Sequence, residues 1–303
     1  MKVRHHLFTI LLAGLLSVLL LTGQPAAALL GSQVSAAQEP VYLLENGVIQ
    51  VAVSTRNGGF SVRTHDGDLL NKADDNKRLL YHSDWYDTSF TSFEVTDHTG
   101  AVKEYVFGGN YSFLGLGGNN LTVTQDTTGI SAAWSVGQLT FTQRIELANA
   151  GASEHGMVYL SYGLVNHGSH PVSARARVLL DTALGDQDYA TYEVVNAANT
   201  YRRVTRETVI GTDDYIPANF FGYDDLNAPS ITSYTVNDAQ SKPYQVAFGH
   251  WNNLAATCFG FAPDASLDFT NPYNLDYQTA DSAYALYYDM GQATAGAASA
   301  SVA

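Results

Sequence analysis

The sequence predicts an all-β protein, a large antiparallel β-sandwich with few and short helices. Three observations predict it. Runs rich in Val, Ile, Thr, Tyr and Phe recur through most of the 303 residues, and Gly, Asn and Asp punctuate them. The counts of 19 Tyr, 13 Phe and 26 Gly match that pattern of strands and tight turns. Beyond residue 28 no long segment carries an apolar period of 3.6 residues, so no long amphipathic helix is expected.

Taken in order, residues 48–55 alternate between two faces, with Ile49, Val51 and Val53 on one of them. Asn57-Gly58 follows as a type I′ hairpin signal, leading into a strand at 60–64. Further strands are expected at 89–95, 103–107, 121–125 and 131–136, then longer ones at 139–147, 157–165 and 172–180. Pro171 suits the first position of the returning strand, where a missing N–H is tolerated. Later strands are expected at 203–209, 244–248, 256–261 and 283–288, with a last one in the final six residues. No internal repeat and no Pro- or Ser-rich linker interrupts 41–303, which reads as one sandwich domain. The uncharged end at 292–303 predicts a chain that continues into a further part.

The N-terminus predicts export. Lys2 and Arg4 precede an apolar run from Leu7 to Leu21, and Gln24-Pro25 breaks it before Ala26-Ala27-Ala28. These are the n-, h- and c-regions of a signal peptide at 1–28, with a flexible segment at 29–40. The run is 15 residues long, short of the roughly 20 a membrane-spanning helix needs. The expected location is secreted or cell-surface, with no membrane insertion after cleavage.

Cleavage removes two basic residues and leaves 13 Lys and Arg against 29 Asp and Glu, a net charge of −16. Such a field repels nucleic-acid phosphates and anionic lipid, so a nucleic-acid partner is not expected. The lone Cys258 forms no internal disulfide and sits in the apolar run 255–261, which suits a small core residue.

Three sets of residues suggest chemistry. Asp181, Asp186 and Asp188 close a strand at a Gly185 turn and offer hard oxygen ligands for Ca²⁺, with Asp213-Asp214 or Asp224-Asp225 available to complete the shell. The same acids, with Glu193, are the candidates for a glycosidase-type carboxylate pair. No organic-cofactor fingerprint, nucleophile elbow or P-loop is present, and Gly115–Gly118 precedes a strand rather than a helix. His155, His167 and His170 read as polar turn residues more readily than as a zinc site. The third set is aromatic. Trp85, Tyr86, Trp251 and Asn252 lie between strand-like runs, where indole and phenol faces beside amide and acid groups can stack on a sugar ring. Trp134, inside an alternating strand, is expected in the core.

Four segments carry a resemblance. They are Leu79-Leu80-Tyr81 with 88–93, Glu104 to Gly108, Tyr162 to His167 with Val178 to Asp188, and Asp281 to Tyr288. They resemble a group of uncharacterised bacterial secreted and cell-surface β-sandwich domains, over most of 41–303. In architecture the chain is more distantly similar to the supersandwich of galactose-mutarotase-like proteins. That likeness implies a catalytic Glu with His partners, and no residue here is matched to them. The function expected is non-catalytic binding or presentation of a glycan or other cell-surface component. The alternatives are a carbohydrate-active enzyme of supersandwich type and a structural module of a larger surface protein.

Overall fold

In chain order the strands are β1 (Val41–Glu45), β2 (Ile49–Ser54), β3 (Phe60–Thr64), β4 (Arg78–Leu80), β5 (Phe90–Thr96), β6 (Val102–Val106), β7 (Leu121–Gln125), β8 (Gly129–Val136), β9 (Leu139–Leu147) and β10 (Val158–Asn166). They continue as β11 (Val172–Gly185), β12 (Thr191–Val195), β13 (Tyr201–Val204), β14 (Thr208–Ile210), β15 (Asn219–Tyr223), β16 (Thr232–Val236) and β17 (Gln245–Gly249). A five-residue helix α1 (Trp251–Ala255) precedes β18 (Ser282–Ala293) and β19 (Ala298–Val302). The computed structural model describes residues 41–67, 71–83, 86–109, 120–147, 156–195, 198–211, 216–217, 219–236, 242–273, 279–296 and 298–302. The signal peptide and the 29–40 segment expected from the sequence lie outside them, as do Trp85, Gly115–Gly118, His155 and Asp213-Asp214. Residues Gln38–Ala303 form one compact unit, and the predicted all-β class is what the strands build.

Among the described residues the strands form three antiparallel sheets. Ten strands form the largest, in the order β1-β2-β3-β4-β11-β18-β17-β14, with β5 joined to β11 and β6 to β5. Five form the second (β19-β10-β9-β8-β7) and four the third (β13-β12-β15-β16). The main core lies on the inner face of the ten-stranded sheet. Phe93 of that sheet stacks on Phe141 of the five-stranded sheet, 4.4 Å between centroids, and Phe141 stacks on Trp134. Tyr192 and Phe220 of the four-stranded sheet meet Phe248 and Tyr284, with Phe220 and Tyr284 edge-to-face at 4.9 Å. Offset and edge geometries of this kind suit the ring quadrupoles, and Trp134 is in the core as its alternating strand predicted.

β11 organises the rest by its pleat. Ala174, Ala176, Val178 and Leu180 enter the main core. Leu179 enters a second, smaller core on the outer face, with Ala283, Ala285 and Tyr287 beneath Leu254, Ala255, Cys258 and Phe259. Arg177 points the same way and is fully buried. Its guanidinium donates to the carbonyls of Leu254 at 2.7 Å, Thr257 at 2.8 Å and Cys258 at 3.0 Å. The Leu254 carbonyl is one that the end of α1 leaves without an intrahelical partner, and Thr257 and Cys258 belong to the segment that follows. At the other end His250 caps α1, its Nδ1 accepting from Asn252 N.

The strand expected at 256–261 is therefore absent, and the segment is the bent continuation of α1. Its apolar character comes from lying flat over the outer core, with the adjacent Cys258 and Phe259 both buried, which a pleated strand facing one core does not allow. Burial pushes the Cys258 thiol up to about 11, as suits an inert core residue. The Asn57-Gly58 turn also differs from expectation. The loop is longer than two residues, with Ser54 N bonded to Gly59 O and Gly58 N to Ser54 O. Asn57 uses its side chain to accept from Gly59 N, so it caps the loop instead of occupying a type I′ position.

The expected run at 203–209 is broken into β13 and β14. Arg206 forms an isolated bridge to Asp268 there, and Glu207 turns inward. The Glu207 carboxylate accepts from His250 N, Asn253 Nδ2 and Asp264 N, and so anchors α1 and the loop behind it.

Candidate functional site

The ten-stranded sheet forks along one edge of β11. From Ser173 to Leu179 that edge pairs with β5, and from Thr182 to Gly185 it pairs with β4. Between the two branches sits Asp181, whose backbone is satisfied from the connecting segment: Tyr81 N donates to its carbonyl at 2.9 Å, and its own N–H donates to Ser89 Oγ at 2.9 Å. The β11 pleat aims the Asp181 side chain to the outer face, where it is 3% exposed.

Two more carboxylates converge on it. On the other edge of β11, Asp181 is opposite Ala283 and Thr182 opposite Ser282, so Asp281 lies diagonally across on the neighbouring strand's extension. Asp281 is fixed by its N–H donating to Phe269 O at 3.0 Å. Asp188 comes from the turn after β11, closed by Ala190 N donating to Ser282 Oγ at 2.7 Å. Burial raises the Asp181 carboxyl well above the usual carboxylate range, and the charges of Asp281 and Asp188 add to it. Asp281 is pushed up to about 7, by burial first and then by Asp188. Asp188, the most exposed of the three, is raised by burial and held back by the Arg78 charge. Carboxyls whose charges raise one another in this way titrate as a set.

Thr88 ties the acids to the aromatic candidates. Its hydroxyl bonds the Asp181 carboxyl and lies 3.1 Å from the Tyr81 carbonyl, to which it donates. The Thr88 hydroxyl lowers the Asp181 carboxyl, against the larger effect of burial. The Thr88 carbonyl accepts from the indole N–H of Trp251 at 2.9 Å. Trp251 is half-buried on α1 and packs against the outer core, and Asn252 beside it is exposed. Tyr86 has φ +54 and stacks on His82, with centroids 4.8 Å apart and planes 5° from parallel. Its carbonyl rests on Gly59, where a Cβ would lie 1.7 Å from that oxygen. The cleft between Tyr86, Phe90 and the Gly58-Gly59 loop encloses about 20 Å³, room for a water molecule.

Of the residues picked out by the sequence, Asp181, Asp188 and Trp251 are thus gathered at the fork, with Asn252 and Tyr86 on the segments that border it. Asp186 is not gathered. It points to solvent and pairs with Lys77 at 2.8 Å, which lowers its carboxyl. Among the described residues no group of three or more His, Cys, Asp and Glu side chains is arranged to hold a metal. Asp224 is used locally, accepting from Ser230 N and Ile231 N. His167 bonds Thr140, and His170 stacks on His98 at 3.9 Å instead of joining His167. Glu193 lies on the third sheet, away from the fork in the strand order. Asp281, Thr88 and Arg78 were not singled out from the sequence. Only the β11–β18 register brings Asp281 beside Asp181.

No family model matches the chain, and no curated protein matches it. Among solved structures it is similar to a candidate aldose 1-epimerase from Escherichia coli K12, at 11% identity over 86% of this chain and 96% of that one, with a TM-score of 0.40. It is also similar to a galactose mutarotase-like protein from Lactobacillus casei ATCC 334, at 9% identity over 87% and 98% of the two chains, with a TM-score of 0.41. Likenesses this weak carry neither a family assignment nor an activity.

Proposed function

We propose that the protein is an exported domain that binds a neutral carbohydrate at the fork of the ten-stranded sheet, without turning it over. The observation that carries this reading is the placement of Trp251 beside the Asp181–Asp281 carboxyl pair, joined through Thr88. A half-buried indole supplies an apolar plate for a sugar face. The exposed Asp188 carboxylate supplies an acceptor for a sugar hydroxyl, with the buried Asp181 and half-buried Asp281 behind it. Asn252 and Tyr86 border the same surface and are the further contacts. Export rests on the basic, apolar and small-residue order of residues 1–28. A glycan array with the purified chain tests the reading. A neutral glycan bound by the wild type and lost in Trp251→Ala supports it, and an array with no hits overturns it in favour of a structural module.

One observation favours a second reading, a carbohydrate-active enzyme. Asp281, held up to about 7 beside Asp188, is poised as a general acid near neutral pH. Turnover of an array hit that disappears in Asp281→Asn, while binding persists, would select this reading over the first.

A further inference from the structure

The four-stranded sheet has an aromatic face that the fork does not use. Its inner face gives Tyr192, Val194, Val204 and Phe220 to the main core. The pleat turns Tyr201, Phe221, Tyr223 and Tyr234 to the other side. The register places Tyr234 opposite Phe221 and Phe221 opposite Glu193, which in turn faces Arg203. The rings form one contiguous group around Phe221: Tyr234 at 4.7 Å, Tyr223 at 6.1 Å and 18° from parallel, and Tyr201 at 6.4 Å. Tyr201 is 63% exposed and Tyr234 52%, an unusual outlay of aromatic surface on one side of a short sheet. Glu193 bonds the Tyr223 hydroxyl and fixes that ring, while burial raises the phenol.

We infer that this face is a second binding surface, a platform for an extended neutral polysaccharide chain. Chemistry and size both select that occupant. The rings are apolar plates with hydroxyl edges, and Glu193 and Arg203 at their margin offer an acceptor and donors for sugar hydroxyls. Glu193 and Arg203 oppose each other in register, so the face carries no net charge of its own. The net charge of −14 over the whole chain repels polyanions. The sheet offers no walls to enclose a monosaccharide, so affinity must come from several rings engaging several sugar units. A second protein copy fits poorly. Four strands of about five residues span roughly 15 by 17 Å, about 250 Å². A stable protein interface needs about 800 Å² per partner. The platform stands whether or not the Asp181 corner binds a sugar.

Co-sedimentation of the full purified chain with insoluble cellulose, chitin and β-1,3-glucan tests this. The wild type is expected to pellet with at least one of them. The double variant Tyr201→Ala/Tyr234→Ala is expected to lose affinity by about tenfold, with its melting temperature kept because both rings are exposed. Tyr234→Trp is expected to retain binding, since it keeps the plate. Asp186→Ala, at a surface ion pair with Lys77 that belongs to neither surface, is expected to pellet as the wild type does. The inference is overturned if none of the three polysaccharides retains the wild type, or if the double variant binds unchanged. It is also overturned if sedimentation velocity shows a wild-type dimer that the double variant abolishes.

Discussion

The indole N–H of Trp251 donates to the carbonyl of Thr88 at 2.9 Å, and so fixes the one tryptophan described at the fork against the segment that holds Asp181. The bond joins two parts of the chain 163 residues apart. Trp251→Phe keeps a plate but removes the donor, leaving the Thr88 carbonyl short of a partner. Its glycan affinity is expected to fall about threefold to tenfold, and that of Trp251→Ala by more than tenfold, as measured by titration calorimetry with an array hit.

The raised carboxyls make a signed prediction about pH. Asp181 and Asp281 hold their protons more tightly folded than unfolded. The native state therefore binds more protons above the unfolded value near 4. Their contribution to stability is present below about pH 4 and is lost as pH rises through about 7. Asp281→Asn is expected to flatten the fall in stability between pH 5 and pH 8 by about 1–2 kcal/mol, read from urea unfolding at both values. A fall as steep as that of the wild type would place the protons elsewhere.

Arg177 is a buried charge whose partners are carbonyls at the end of α1. Arg177→Met removes three donors from that end and is expected to cost about 3–5 kcal/mol of unfolding free energy. Because α1 carries Trp251 and Asn252, glycan binding should fall with it under conditions where the sheet remains folded. Near-UV circular dichroism of the tryptophans reads the helix separately from the sheet.

Gly59 is held by contact, not by its own backbone angle. A methyl group there would sit 1.7 Å from the Tyr86 carbonyl, and backbone cannot give way as a flexible side chain can. Gly59→Ala is expected to destabilise the protein by about 2 kcal/mol or more and to displace Tyr86. Thermal melts beside Gly100→Ala, where a Cβ meets nothing within 4 Å but φ is +86, separate the clash from simple left-handed strain.

Asp186 pairs with Lys77 at the surface and stands apart from Asp181. Asp186→Ala is expected to leave the melting temperature unchanged, in Ca²⁺ and in chelator alike. A rise of several degrees in Ca²⁺ that the variant abolishes would restore the metal reading, since an ion bound only to the folded state must stabilise it.

The all-β class, most strands of the two larger sheets and the core roles of Trp134 and Cys258 follow from sequence alone, because a period of two and the turn residues are local properties. Apart from part of β13, the third sheet leaves no mark in the local pattern. Asn219-Phe220-Phe221-Gly222-Tyr223 has aromatic rings on both faces, so no polar and apolar alternation marks it as a strand. The run at 256–261 misled for a related reason, since burial over a core gives an apolar stretch whether or not it is pleated. The fork itself belongs to tertiary structure. Asp181 and Asp281 lie 100 residues apart, and a one-step change of the β11–β18 register would turn one of them to the opposite face. Composition and local pattern determined what kind of fold this chain makes and that acids and tryptophans were worth watching. Strand register decided which acids meet, what Trp251 holds and which aromatic face is left open, because those depend on contacts between segments that local sequence does not encode.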